Sequence, residues 1–248
     1  MSRSRRRPIV PAPARGAVAL LAVLLAGCGS SSPGAAPPEP GAAPAGTAVV
    51  GEVDFGVVGD SITAGLDGPV EGTRVVGRSS WVPAADAAPL DFRGGWAVPG
   101  ATTADMRAGV RAVDADVLVV MAGTNDVLRG VPWSESRENL LAIVATAGVA
   151  DVVLAAVPPS DLTPDGTASY RARLAELAAE QDWRWVDPWA GETTPAGSWA
   201  PGTSDDGIHP RDEVADRIGE LLRAELLGIP ATVVPYATPA STLGAGPR

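Results

Sequence analysis

The chain contains a single histidine, His209, set in Asp206-Gly207-Ile208-His209-Pro210. Far upstream, at the end of an apolar run, stands Gly59-Asp60-Ser61. A serine hydroxyl, an imidazole and a carboxylate are the three parts of a triad for nucleophilic acyl transfer. The hydroxyl of Ser61 is a weak nucleophile alone and needs a base within hydrogen-bonding reach. An imidazole suits that task because its unperturbed titration lies closest to neutrality, so it can take a proton and give it back. If the base is a histidine, it is His209. Asp206 precedes it by three positions, a separation that can place carboxylate and ring on one side of a local turn. Asp205 is adjacent, but its side chain should point elsewhere. The candidate catalytic residues are therefore Ser61, His209 and Asp206.

Alternating strands and helices are needed to bring such distant positions together. Apolar runs at 53–58, 90–98, 117–121, 152–157 and 183–186 read as strands, the second being the weakest. Continuous β-branched runs of this length suit a parallel sheet covered on both faces. Segments 134–147, 169–181 and 211–227 read as helices. In the last of these, Val214, Ile218, Leu221, Leu222 and Leu226 fall at helical spacing. This βαβα order predicts an α/β protein of three layers with a parallel sheet of about five strands. Ligands of such folds sit at the carboxyl ends of the strands. Ser61 follows the first predicted strand, Gly100 the second, Asn125 the third and His209 the fifth.

Four short motifs occur in order: Gly59-Asp60-Ser61, the glycine of Pro99-Gly100-Ala101-Thr102-Thr103, Gly123-Thr124-Asn125-Asp126, and Asp206-x-x-His209. Each alone is weak. Together they resemble the SGNH (GDSL-type) hydrolase superfamily over about residues 53–227. The residue after Gly-Asp-Ser, usually leucine, is Ile62 here. The resemblance implies a flavodoxin-like α/β/α fold and a serine esterase that works through an acyl-enzyme without a cofactor or metal. It also implies three oxyanion donors: the backbone N–H of Ser61, the backbone N–H of Gly100 and the side-chain amide of Asn125. Asp60 and Asp126 read as loop organisers that accept backbone N–H groups. The seven tryptophans read mainly as core residues, with Trp133 and Trp199 the candidates to line a cleft.

The N-terminus carries a further signal. Arg3, Arg5, Arg6, Arg7 and Arg15 precede an apolar stretch at 17–26, which is signal-peptide length and shorter than the ~20 residues of a membrane span. Leu25-Ala26-Gly27-Cys28 looks like a bacterial lipobox, which implies cleavage after residue 27 and lipidation of Cys28. Cys28 is the only cysteine, so a lipidated chain forms no internal disulfide. The paired arginines leave Sec and twin-arginine export both open. Residues 28–48 read as a Gly/Ser/Pro/Ala tether, 49–228 as the hydrolase domain and 229–248 as a tail. The expected location is the outer face of the plasma membrane, with the protein a monomer held there by its lipid.

All 19 basic residues are arginines, against 29 acidic ones. That balance argues against nucleic acid as a partner, since phosphate binding needs positive charge. The expected substrate is a small-molecule or glycan acyl ester, including O-acetyl groups on envelope glycans. Two readings stay open beside hydrolysis: an acyltransferase using the same site, and a non-catalytic cell-surface binding lipoprotein.

Overall fold

The five apolar runs become five strands in the computed structural model of the chain. It describes residues 51–75 and 77–228. The expected signal peptide, Cys28, the tether and the tail lie outside those residues. In chain order the elements are β1 (Val53–Gly59), α1 (Ser61–Ala64), α2 (Val82–Ala85), β2 (Leu90–Ala97), α3 (Thr103–Gly109) and β3 (Val117–Met121), then α4 (Thr124–Arg129), α5 (Trp133–Ala147), β4 (Asp151–Ala155), α6 (Pro164–Gln181), β5 (Arg184–Val186) and α7 (Asp212–Leu226). All strand pairs are parallel and the order is β2-β1-β3-β4-β5. That is the flavodoxin-like order, in which the chain switches direction across the sheet beside β1.

Strand periodicity divides the core. Phe55 and Val57 of β1, with Val117, Val119 and Met121 of β3, face one layer and pack with Trp81, Val214, Ile218 and Leu222. Val58, Leu118 and Val120 face the other and pack with Met106, Leu140, Ile143 and Leu174. Because side chains alternate across a strand, a sheet covered on both faces needs apolar residues at every position, and β3 is buried throughout. The weak pattern of 90–98 has its cause in β2 being an edge strand. Its alternate residues are exposed, and its pairing with β1 shifts register next to Gly94-Gly95.

The long helices begin within a few residues of their expected starts. The short ones α1 to α4 were not read from the sequence. They span four to seven residues, too little chain to display a 3.6-residue period. A signal for α3 was present in Thr102-x-x-Asp105, which forms a capping box. The Thr102 hydroxyl accepts from the Asp105 N–H, and the Asp105 carboxylate accepts from the Thr102 N–H.

Candidate active site

Gly59 ends β1, and Asp60 caps α1 by accepting the Ile62 N–H at 3.0 Å. Ser61 thus stands at the first position of a helix, where a backbone N–H has no intrahelical acceptor. Ser61 is 7 % exposed, and its Oγ lies 2.8 Å from His209 Nε2. On the other side of the ring, His209 Nδ1 lies 2.7 Å from Asp206 Oδ2. The remaining oxygen, Asp206 Oδ1, accepts the N–H groups of Ile208 and His209 at 2.9 and 2.8 Å. Burial works against ionisation of Asp206, but the hydrogen bonds from His209 and Ile208 outweigh it and lower its pKa to about 2. It therefore stays a carboxylate across the mildly acidic and neutral range. Asp205 turns away to pair with Arg211.

The other two expected donors come from loops after β2 and β3. Val98-Pro99-Gly100-Ala101 is a turn closed by the Ala101 N–H on the Val98 carbonyl at 3.1 Å. Gly100 has φ +77°, and Pro99 precedes it, so the turn is of type II. Only this left-handed conformation requires glycine there. The nearest atom to a Cβ added at Gly100 lies 3.9 Å away, so crowding by the protein is not the reason. The Gly100 N–H takes no acceptor among the described residues. Asn125, in the first turn of α4, donates its Nδ2 to the Ala101 carbonyl at 3.0 Å and approaches Asp60 Oδ2 at 3.4 Å. Both neighbours are acceptors, which fixes the amide orientation. The bond to Ala101 is the shorter of the two, and the contact to Asp60 is long and weak.

The two aspartates of the motifs hold backbone N–H groups, as read, and do more. Asp126 is fully buried and accepts the Thr103 N–H at 2.8 Å, the Thr103 hydroxyl at 2.5 Å and the Ser136 hydroxyl at 2.5 Å. It ties the starts of α3 and α5 to the Asn125 loop. Asp60 is enclosed completely; burial pushes its pKa up to about 6, against the lowering effects of the Ile62 N–H, the Thr124 hydroxyl and His209. Behind the loop, Gly123 has φ +124°, and a Cβ there would meet the Tyr170 ring at 2.2 Å.

Neither candidate cleft tryptophan lines the cavity next to His209. Trp199 is 5 % exposed and packs edge-on against Trp189, with ring centroids 5.6 Å apart. Trp133 opens α5 and packs edge-on against Tyr170 at 5.2 Å. The Trp199 ring is buried in the core, and the half-buried Trp133 ring packs against its edge. Two contributors went unread in the sequence. Asp161, after β4, donates its N–H to the Gly207 carbonyl at 2.9 Å and steadies the His209 loop. Arg129 donates to the Gly100 carbonyl at 2.8 Å. Its spacing from Asn125 becomes meaningful once α4 is known to be a helix.

The chain matches the GDSL-like lipase/acylhydrolase family over residues 57–217. It belongs to that family. As a member it is a serine ester hydrolase. A search of curated proteins by sequence finds no match. Among solved structures, a lipase/acylhydrolase from Enterococcus faecalis shares the fold with a TM-score of 0.58 and 22% identity, covering 71% of this chain and 96% of its own. An acetylxylan esterase from Geobacillus stearothermophilus is similar at a TM-score of 0.54 and 18% identity, covering 73% of this chain and 96% of its own. A GDSL-like lipase from Bacteroides thetaiotaomicron gives 0.53 and 19%, covering 71% of this chain and 88% of its own. At these identities the likeness is one of fold.

Proposed function

We propose that this ester hydrolase uses Ser61 as nucleophile, His209 as proton carrier and Asp206 as the group that orients the imidazole and stabilises its protonated form. The observation that carries this reading is the continuous contact from Ser61 Oγ to His209 Nε2 and from Nδ1 to Asp206, at 2.8 and 2.7 Å. Ser61 Oγ attacks the acyl carbon as its proton passes to His209 Nε2. The oxyanion that forms is received by the N–H groups of Ser61 and Gly100 and by the amide of Asn125. His209 then gives its proton to the leaving alkoxide, and the alcohol departs from the acyl-enzyme. Water attacks next, losing a proton to His209. The acid leaves as that proton returns to Ser61 Oγ.

The proton must reach the leaving oxygen, so the alcohol of the ester lies on the His209 side. A cavity of about 520 Å³ opens there, lined by Arg78, Ser79, Asp212 and Glu213 among others, with Leu66 and Pro210 the apolar contributors. A lining so polar suits a polyhydroxy alcohol better than an alkyl one. We read the substrate as an O-acetyl ester of an envelope glycan, a reading with which an acetylxylan esterase among the fold neighbours accords. The resemblance of Leu25-Ala26-Gly27-Cys28 to a lipobox supports a location at that envelope, through export and a lipid on Cys28.

The test is hydrolysis of p-nitrophenyl acetate by the wild type and Ser61→Ala. Loss of activity by a factor of about 10³ or more, with unchanged thermal unfolding, is expected. Undiminished turnover refutes the assignment. Comparing kcat/KM on an acetylated monosaccharide and on hexyl acetate tests the substrate; preference for the alkyl ester overturns the glycan reading.

A further inference from the structure

We propose that Arg129 is a positioning residue for the oxyanion donors, holding the Gly100 turn at a fixed spacing from Asn125. This rests on the reading of Gly100 and Asn125 as donors given above. Asn125 and Arg129 stand four residues apart in α4, and side chains so spaced lie on one face of a helix. Each grips the same turn. Asn125 Nδ2 donates to the Ala101 carbonyl at 3.0 Å, and Arg129 Nη2 donates to the Gly100 carbonyl at 2.8 Å. Two successive carbonyls of the β2–α3 loop are thereby fastened to successive turns of one helix.

The turn needs that restraint. Glycine at φ +77° is free to leave the conformation, because it also populates negative φ at little cost. Packing does not confine it: the guanidinium is the nearest group, at 3.9 Å, to where a Cβ would stand. Beside Gly100 the surface opens into a groove of about 470 Å³ bordered by Trp96, Pro99 and Arg129. Beyond the Gly100 carbonyl, the guanidinium acts only at longer range, as a minor contributor to the lowered pKa of Asp105. It lies within 4.0 Å of no carboxylate among the described residues. The nearby Asp105 carboxylate is taken up by the N–H and hydroxyl of Thr102 at 2.9 and 2.7 Å. Donors aimed before the substrate arrives stabilise the transition state without reorganisation, so a loosened turn should slow the chemical step more than it weakens binding.

The experiment measures kcat and KM on p-nitrophenyl acetate, a small neutral ester with no charge for a guanidinium to recognise. Arg129→Ala should lower kcat roughly tenfold, less than the hundredfold or more of losing a donor outright, while KM stays within about twofold. Arg129→Lys, which keeps a donor, should recover part of the loss. In the Asn125→Ala background the Arg129→Ala effect should shrink, because the two residues act on one spacing. A wild-type kcat for Arg129→Ala overturns the proposal. So does a raised KM with kcat intact, which would make Arg129 a substrate contact, or full additivity with Asn125→Ala. Ser61→Ala separates the two levels: if it retains activity, the site itself is misassigned. If Ser61→Ala is inactive while Arg129→Ala matches wild type, only the positioning role falls.

Discussion

Asp60 sits beside Ser61 yet has no place in the proposed proton path, and its burial gives it a thermodynamic signature of its own. Enclosure raises its pKa from 3.8 to about 6, so the folded state holds that proton more tightly than the unfolded chain. Stability contributed by the neutral acid is complete below pH 3.8 and is lost as the pH rises through about 6. Asp60→Asn removes the titration. The stability of wild type relative to this variant should therefore fall by about 3 kcal/mol between pH 3 and pH 7, measured by urea denaturation. A difference independent of pH would show that Asp60 does not titrate in this range. Asp206 behaves oppositely. Its lowered pKa means that the loss of its charge belongs to strong acid, so the acid limb of the rate profile above pH 4 does not come from Asp206.

At the scale of elements, the proposed site residues stand on short segments, while the long helices pack against the sheet. The type II turn at 98–101 presents a backbone donor only because position 100 tolerates a left-handed backbone. Gly100→Ala should cost about 1–2 kcal/mol in denaturation experiments and reduce kcat, although the space for a methyl group exists. Gly100→Asn should lose less, since asparagine visits that region more readily. Equal, negligible effects from both would show that the turn is not held in this form. The buried Asp126 carboxylate plays a different part: it joins α3, α4 and α5 through Thr103 and Ser136. Strand-end loops without a core of their own acquire rigidity in this way.

For the whole molecule, the strand order explains where the site lies. β1 is flanked by β2 and β3, and the three loops leaving these neighbours carry Ser61, Gly100 and Asn125. The crevice at this direction switch is where such sheets bind ligands. His209 arrives differently. β5 is the far edge of the sheet, and the connection from 187 to 211 crosses back to β1. It is fastened on the way by Trp189 Nε1 on the Ala156 carbonyl at 2.8 Å and by Asp161 on Gly207, and just beyond its end, at the start of α7, by the Ser79 hydroxyl on Asp212 at 2.6 Å. Among the described residues no helix is long and apolar enough to cross a membrane. The proposed attachment is through lipid on Cys28. Cys28→Ala should move the protein from the membrane to the soluble fraction on cell fractionation. A variant that still sediments with membranes would disprove the lipid anchor.

The strands were legible because a doubly covered sheet demands unbroken apolar runs, and 117–121 satisfies that demand at every residue. The residue types of the site were legible for a chemical reason: one histidine leaves no choice of imidazole, and Gly-Asp-Ser and Gly-Thr-Asn-Asp fall where strands end. The structure then brought Ser61, His209 and Asp206 into contact and set Gly100 and Asn125 beside one turn. What the sequence withheld is pairwise. Nothing in linear order says that Arg129 reaches Gly100, that Asp161 braces Gly207, or that Trp199 turns its ring into the core instead of a cleft. Those outcomes depend on which surfaces remain after helices pack on both faces of the sheet, and packing is a property of the assembled chain. Local chemistry nominated the reactive groups; long-range packing chose their supports.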